Sequence, residues 1–281
     1  MALVGCFVTP HPPIILPEVG GSEVERAQPT VLGMTAVRDR AAVLQPDTVV
    51  LLSPHAPTAY QHMTVSLAPS YHGTFANFRA PRLRVDAEGD LETARAILER
   101  AVEAGVPMAS VDAGLPVEDL DWGATVPLRF LMAGLAKPCR LVLLSFSGLA
   151  LEEHVKFGRA VASALLEVSP RVVYVASGDM SHYLLPEGPY GFNAFGPQFD
   201  NAVADAFAAG DWEGMLSIPA SVVKGAGECG FRSLAVLRGV VAAVEAAGIG
   251  TTNHLFSYEG PFGVGYLVGE VEFSSERGTV S

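Results

Sequence analysis

The stretch R-V-V-Y-V-A-S-G-D-M-S-H-Y, residues 171–183, changes abruptly from apolar to polar near its middle. Residues 172–176 form a β-branched and aromatic run typical of a strand that is buried on both faces of a sheet. Asp179 and His182 follow in a short polar turn. In open α/β sheets, ligands bind beyond the carboxyl ends of the strands. This turn is therefore a predicted functional site.

The same pattern occurs at two other places in the chain. Residues 3–8 lead into T-P-H-P-P, which contains His11, and residues 48–52 lead into S-P-H-A-P, which contains His55. A lone histidine near a strand end is usually a hydrogen-bonded structural residue. The carboxyl ends of parallel strands lie along one edge of a sheet, however, so we expect the three histidines to converge there.

Predicted strands alternate with predicted helices over the whole chain. This alternation predicts an α/β fold with a central, mainly parallel or mixed β-sheet flanked by helices, formed by one domain spanning residues 1–281. The elements that support it most clearly are strands at 48–52, 140–145 and 172–176, and helices at 91–102, 129–135, 152–168 and 231–246.

Composition limits the classes of partner and the cellular location. Eighteen basic against thirty acidic residues give a net charge of −12, which argues against sequence-independent binding of nucleic acid. Three scattered cysteines do not make a disulfide framework and fit a reducing compartment. The first residues lack a basic leader, and prolines and polar residues break the uncharged run at 48–78 before it could cross a bilayer. We therefore expect a cytoplasmic protein with no membrane contact.

His11 and His55 are the best candidates for metal ligands, because neighbouring prolines stiffen the backbone and fix the direction of each imidazole. A divalent ion needs a further ligand, and Glu228 in the glycine-rich turn K-G-A-G-E-C-G is the predicted one. Two histidines and one carboxylate form the ligand set of non-haem Fe(II) oxygenases. Zn and Mn are alternatives.

The turn that carries Glu228 allows other interpretations. Glu228 could instead act as a negative charge at the amino end of the following helix, where it would interact with the helix dipole. Cys229 could be a thiolate ligand, which would favour Zn or Cu over iron. Cys229 could also be a small buried apolar side chain.

His182 follows S-G-D-M-S and has no flanking proline, which suits a base that must exchange protons. Asp179 or a serine hydroxyl could set its tautomer, so Asp179 and His182 are the predicted catalytic residues. We expect structural roles for the other histidines: His154 on a charged helix face, His254 in a late strand, and His62 and His72 in a loop.

Five short motifs together resemble one known family. They are T-P-H-P-P at 9–13, S-P-H at 53–55, S-G-D-M-S-H at 177–182, G-E-C-G at 227–230 and S-Y-E-G-P-F-G-V-G-Y at 257–266. The likeness is to the catalytic subunit of the class III extradiol ring-cleavage dioxygenases, the LigB-like proteins, and is closest to their Memo-like branch. It implies one α/β domain, Fe(II) held by His11, His55 and Glu228, and a catalytic His182.

The chain departs from this family pattern at two positions. Ring-opening members carry a second active-site histidine in an Asp-His-Gly loop, where this chain has Trp122 between Asp121 and Gly123. Memo-like relatives have a cysteine at the position of Cys229 and are not established ring-cleavage enzymes. Fold and metal site are therefore expected to carry over better than the reaction.

The resulting prediction is an Fe(II)-dependent extradiol-type dioxygenase that acts on a catecholic or related small aromatic substrate with O2, with His182 as acid and base. The alternative is a Memo-like metal-binding redox accessory protein without ring cleavage, in which Cu, Zn or Mn could replace iron. Zinc-dependent hydrolysis is a third option. The sequence leaves a homo-oligomer open.

Overall fold

The computed structural model describes residues 2–111 and 118–274, which form two β-sheets and the helices around them. The larger sheet has eight strands and the smaller sheet has three. The strands are β1 (Leu3–Thr9), β2 (Thr48–Leu52), β3 (Met63–Ser66), β4 (Ser70–Phe75), β5 (Ala80–Glu88), β6 (Met108–Val111), β7 (Glu118–Asp119), β8 (Arg140–Ser145), β9 (Val172–Ser177), β10 (Gly250–Glu259) and β11 (Tyr266–Ser274).

Helices cover both faces of the larger sheet, and short 3₁₀ turns occur at Pro13–Ile15, Gly21–Ala27 and Ala76–Phe78. The helices are α1 (Pro17–Gly20), α2 (Gln28–Leu44), α3 (Leu91–Glu103), α4 (Trp122–Ala133), α5 (Leu151–Glu167), α6 (Phe195–Ala209), α7 (Trp212–Leu216), α8 (Ala220–Ala226) and α9 (Phe231–Ala246).

The larger sheet runs in the order β10-β11-β1-β9-β2-β8-β3-β6. Its centre is parallel, because β9 pairs in parallel with β1 on one side and with β2 on the other. Antiparallel pairing joins β11 to both β1 and β10, and β3 to β8, so the sheet is mixed. The predicted α/β class with a mainly parallel or mixed sheet is confirmed.

The strand from the 171–183 stretch thus lies between the two strands that precede His11 and His55. At its carboxyl end, Ser177 is paired with Thr9, and Ala176 is paired with both Val8 and Leu52. The three adjacent strands therefore end at the same level, and the turns that follow them lie along one edge of the larger sheet.

Alternate side chains of the central strands pack into two separate apolar cores. Tyr174 belongs to the core shared with α3, α5, α6 and α9, whereas Val173 and Val175 belong to the core shared with α2 and α4. Because both faces are covered, the strand is apolar throughout, which is why its sequence shows no alternation with polar residues.

One helix begins earlier than predicted, and the difference matters for the site. The sequence predicts a helix from Arg129, but α4 already begins at Trp122, with the Asp121 side chain accepting a hydrogen bond from the Ala124 amide at 3.2 Å. Pro127 lies inside this helix. Since proline has no amide hydrogen, the carbonyl four residues earlier, that of Gly123, lacks its usual helical partner.

Elsewhere the helix signals in the sequence agree with the structure. Asp90 caps α3 by accepting a hydrogen bond from the Thr93 amide at 3.1 Å, and Gly105 adopts φ +69° just beyond the helix. No helix in the described ranges combines the length and the apolar composition needed to cross a membrane.

Candidate metal centre

His11 and His55 meet at the carboxyl edge of the large sheet, as the strand pattern predicts. Their Nε2 atoms are 3.2 Å apart, and the two rings are arranged edge to face at 80° with centroids 4.9 Å apart. His11 is buried, with 1% of its surface exposed, and His55 is half-buried. Two imidazole nitrogens aimed at one point are a common part of transition-metal sites.

A hydroxyl fixes which nitrogen of His11 carries the proton. Ser177 Oγ lies 2.9 Å from His11 Nδ1 and 2.6 Å from the carbonyl oxygen of Gly123. The carbonyl can only accept, so the single hydroxyl proton goes to Gly123, and Ser177 must accept from Nδ1–H of His11. Pro127 makes this carbonyl available by leaving it without a helical partner. His11 Nε2 then has a free lone pair.

Burial keeps both imidazoles neutral at physiological pH. It lowers the pKa of His11 to about 4, while attraction from Asp121 opposes part of this effect. Burial also lowers the pKa of His55, and repulsion from His11 lowers it further. Neutral imidazole is the form that binds a metal.

Cys229 lies beside the two histidines as a third potential donor. Its Sγ lies 3.7 Å from His11 Nε2, and the ligand atoms of His11, His55 and Cys229 all lie within 4.8 Å of one another. Burial holds the pKa of the Cys229 thiol well above its usual value, so a metal that binds there must displace the thiol proton. Imidazole and thiolate together suit Zn, Cu or Fe.

Two hydrogen bonds, one to its sulfur and one from its amide, hold Cys229 against the turn that follows β9. The Asp179 amide donates to Cys229 Sγ at 3.3 Å, and the Cys229 amide donates to the Asp179 carbonyl at 3.3 Å. The approach requires glycine on both sides, because a Cβ on Gly178 would lie 2.2 Å from the Cα of Gly230. This contact brings the two glycine-containing turns of the sequence together.

Glu228, the predicted carboxylate ligand, has a different environment from Cys229. Its Oε2 accepts a hydrogen bond from the Phe231 amide at 2.5 Å, at the start of α9. In the described part of the chain, the groups of three potential ligands near the histidines include Cys229 and do not include Glu228. Glu228 thus fits the alternative role of a charge at the helix start, and its role as a ligand stays a prediction.

Asp179 and His182, the predicted catalytic residues, lie next to this centre. A carboxylate oxygen of Asp179, a ring nitrogen of His182 and Cys229 Sγ lie within 4.8 Å of one another. Asp179 Oδ1 accepts the backbone amide of His11 at 2.9 Å, and burial raises the pKa of Asp179 to about 6. Burial lowers the pKa of His182, which Asp179 opposes. His182 is therefore neutral near pH 7 and able to accept a proton.

Aromatic side chains bound the centre on two sides. The indole of Trp122 packs against the ring of His55 at a tilt of 32° with centroids 4.4 Å apart, and it is 42% exposed. Tyr190, which is 59% exposed, stacks against His182 at 5.1 Å. Trp122 thus lies at the centre itself, as its place in the Asp-Trp-Gly segment implies. The stacking of Tyr190 was not predicted.

A buried carboxylate that the sequence does not indicate lies next to the turn that carries His182. Asp200 in α6 is fully buried and accepts hydrogen bonds from the Ser181 amide and the Tyr258 hydroxyl, both at 2.7 Å. Ser181 Oγ and the His182 amide both donate to the carbonyl of Ala226, at 2.9 and 3.1 Å. The turn that carries His182 is therefore held from both sides. An aspartate inside an amphipathic helix gives no such signal in sequence.

The other histidines do not join the centre, as expected, although the predicted positions of His154 and of His72, which lies in β4 and not in a loop, are wrong. His154 is fully buried, and its Nδ1 lies 2.8 Å from the Ala150 carbonyl at the start of α5, where it serves the local turn. His72 and His254 pair with Asp86 and Glu272 at 2.6 and 3.1 Å.

Comparison with known families agrees with this geometry. Residues 5–269 match the model of the catalytic LigB subunit of aromatic ring-opening dioxygenase. The chain belongs to the LigB family. That family assignment covers the strands, turns and helices that form the centre, and it supports a dioxygenase-type enzyme at the level of the family.

The names of individual relatives of this LigB-family chain state no activity. Protein CA_C1420 of Clostridium acetobutylicum is 34% identical over 98% of this chain, and the chain spans 59% of the length of that relative. A crystal structure of the uncharacterized protein JW3007 of Escherichia coli K12 shares the fold, with a TM-score of 0.58 and 17% identity over 95% of this chain and 99% of the other.

Proposed function

We propose that this chain is a metal-dependent oxidoreductase of the ring-opening dioxygenase type, which acts with O2 on a catecholic or related small aromatic substrate. The observation that carries the proposal is the pair of His11 and His55 Nε2 atoms 3.2 Å apart, with the tautomer of His11 set by Ser177. Family membership supports the dioxygenase class. The three cysteines are free thiols, which supports the predicted cytoplasmic location.

His11 and His55 would hold the metal, with a third donor from the turn that contains Glu228 and Cys229. Bound there, iron would supply the redox chemistry that allows O2 to react with an electron-rich ring. In ring opening, both oxygen atoms of O2 enter the product and one ring carbon–carbon bond breaks, so the reaction consumes no external reductant.

The protein side chains would supply proton transfer and orientation. His182, neutral because burial lowers its pKa, would take a phenolic proton from the substrate and later return one. Asp179 lies close enough to stabilise the protonated imidazole. The exposed face of Trp122 would lie along the substrate ring, since it extends the wall formed by His55.

Metal analysis followed by oxygen uptake tests this proposal. Protein purified anaerobically should contain one transition metal per chain, and His11→Ala and His55→Ala should each lose it, whereas His62→Ala, at an exposed position, should not. The metal-loaded protein should then consume O2 with a member of a catechol panel. Full metal content in both site variants would show that the centre is misplaced.

A second candidate function is favoured by the position of Cys229. A thiolate beside two imidazoles is a softer ligand set than one containing a carboxylate, and it suits Cu or Zn better than Fe(II). The chain would then be a Memo-like metal-binding redox protein without ring cleavage. A protein that binds stoichiometric copper or zinc through Cys229 and consumes no O2 with any catechol would support this candidate over the first.

A further inference from the structure

A cavity beside the 227–230 turn is lined by Gly227 and Glu228 but not by His11, His55 or Cys229. Its volume is about 410 Å³, within the range of small-molecule sites. Much of its wall is apolar and comes from α5, α8, α9 and the segment before α8. Its apolar side chains include Leu151, Ile218, Val223 and Phe231.

Arg232 gives this cavity an unusual polar group. Its Nε atom is buried and has no hydrogen-bond partner among the described residues, and its guanidinium carbon lies 5.9 Å above the ring of Phe146. This nitrogen is buried beneath the surface of the cavity, so a ligand there would meet the outer nitrogens of the guanidinium. A guanidinium fork matches the oxygens of a carboxylate or a phosphate.

The charges around the cavity favour an anion over a cation. Lys224 and Arg232 both line it, and in the described ranges neither forms an ion pair within 4.0 Å, while Glu228 and Arg232 attract each other at longer range. The carboxylate of Glu228 also lines it, but one of its oxygens is already held by the Phe231 amide. Two cations against one engaged carboxylate stand out in a chain of net charge −12.

We propose that this cavity binds a small amphipathic anion, in which a carboxylate or phosphate monoester head group is held by Arg232 and Lys224. The apolar body of the ligand would lie against Leu151, Val223 and Phe231. A bare inorganic ion would leave this apolar wall uncovered, so the head group and the body are both required for tight binding.

Calorimetric titration of the full-length protein tests the proposal with hexanoate and hexyl phosphate as probes. At least one should bind with one site per chain, and inorganic phosphate and hexyltrimethylammonium should bind at least tenfold more weakly. The relative affinity of the two anions identifies the head group. If neither anion binds, or if the ammonium compound binds equally well, the proposal is wrong.

Variants locate the site. Arg232→Met should weaken binding about tenfold or more, because a charged hydrogen-bonding partner is lost, whereas Arg159→Met, at an exposed position on α5, should not. Glu228→Gln should tighten binding by removing the carboxylate from the lining. Arg232→Lys, which keeps the charge but not the fork, should also bind more weakly and replaces Arg232→Met if that variant does not fold.

Binding at the metal centre must be distinguished from binding in this cavity. His55→Ala should bind the anion with unchanged affinity, since His55 does not line the cavity. Loss of binding in His55→Ala together with unchanged binding in Arg232→Met would assign the anion to the metal centre and overturn the proposal. The proposal does not depend on the dioxygenase function.

Discussion

Ser177 Oγ accepts a hydrogen bond from His11 Nδ1 at 2.9 Å while donating its own proton to the carbonyl of Gly123 at 2.6 Å. Two strand ends and the start of α4 are joined by this one hydroxyl. The contact determines that His11 presents Nε2 to the centre, because no other proton arrangement satisfies all three groups.

Replacing Ser177 with Ala is therefore expected to weaken metal binding by about 10- to 100-fold, since groups that orient a ligand imidazole usually have effects of this size. Competition with a chromogenic chelator measures the change. Ser169→Ala, at an exposed position, is the matched control. Unchanged metal affinity in a folded Ser177→Ala protein would remove Ser177 from this role.

The third ligand can be identified by comparing two neighbouring substitutions. If Cys229 completes the centre, Cys229→Ser should reduce metal content sharply while Glu228→Gln retains it, because only Cys229 is grouped with His11 and His55. If the centre is instead an oxygenase site with Glu228 as a ligand, Glu228→Gln should lose the metal and Cys229→Ser should keep it. Metal analysis decides between them, and equal tolerance of both changes would exclude the turn as a source of ligands.

His182 is predicted to transfer protons without binding the metal. His182→Ala should keep its metal and lose about 10² to 10⁴ in kcat on any catechol that the parent protein turns over. Burial lowers the pKa of His182 below its ordinary 6.5, so parent activity should fall only at pH values below 6.5. His182→Ala should lack this dependence. A metal-free His182→Ala protein would instead identify a ligand.

Trp122 tests whether the missing second histidine limits ring opening. The indole packs against His55, so Trp122→His places a second acid–base group beside the centre. We expect its ring-opening rate to exceed that of the parent by about tenfold or more. Trp122→Phe retains an aromatic face without a proton donor and should show no gain. Equal rates in both variants would mean that another feature limits the reaction.

Asp200 should make the folded state less stable as pH rises. Burial raises its pKa from 3.8 to about 7, so between these values the folded chain holds a proton that the unfolded chain has released. Stability therefore falls with rising pH across this window, by up to roughly 4 kcal/mol. His11, with its pKa lowered to about 4, acts in the opposite direction between that value and 6.5.

Asp200→Asn isolates the contribution of Asp200, because His11 is unchanged and the amide oxygen can still accept from Ser181. Denaturant unfolding between pH 4 and pH 7.5 measures the free energy of unfolding. As pH rises, this free energy should fall less, or rise more, in Asp200→Asn than in the parent protein. Asp205→Asn, at an exposed position on the same helix, serves as the control. Parallel pH profiles for the parent and Asp200→Asn would show that Asp200 does not titrate in this range.

Local sequence determined the strands and most helices. Val172–Ser177 is apolar over its whole length because both faces of β9 are covered, and such a run has one stable location, the middle of a sheet between helices. Its pairing with β1 and β2 then brings His11, His55 and the 178–182 turn to one edge. The positions of the two histidines could thus be predicted from sequence alone.

Only the tertiary structure decided which side chain of the 227–230 turn faces the histidines. Adjacent residues in a turn point in different directions, and their order in sequence does not fix the rotation of the turn about its own axis. The close approach of Gly178 and Gly230 and the paired hydrogen bonds between Asp179 and Cys229 set that rotation here. Cys229 therefore lies beside His11, and Glu228 accepts a hydrogen bond from the Phe231 amide at the start of α9.

The tautomer of His11 likewise depends on residues far apart in the chain. Pro127 leaves the Gly123 carbonyl free, this carbonyl takes the proton of Ser177, and Ser177 then accepts from His11. Each of these steps follows from the chemistry of a single residue type. Only the effect of Pro127 on its own helix is visible in the sequence. They act together only because the fold places α4 beside the ends of β1 and β9. A hydrogen bond requires its donor and acceptor atoms to lie within about 3 Å of each other.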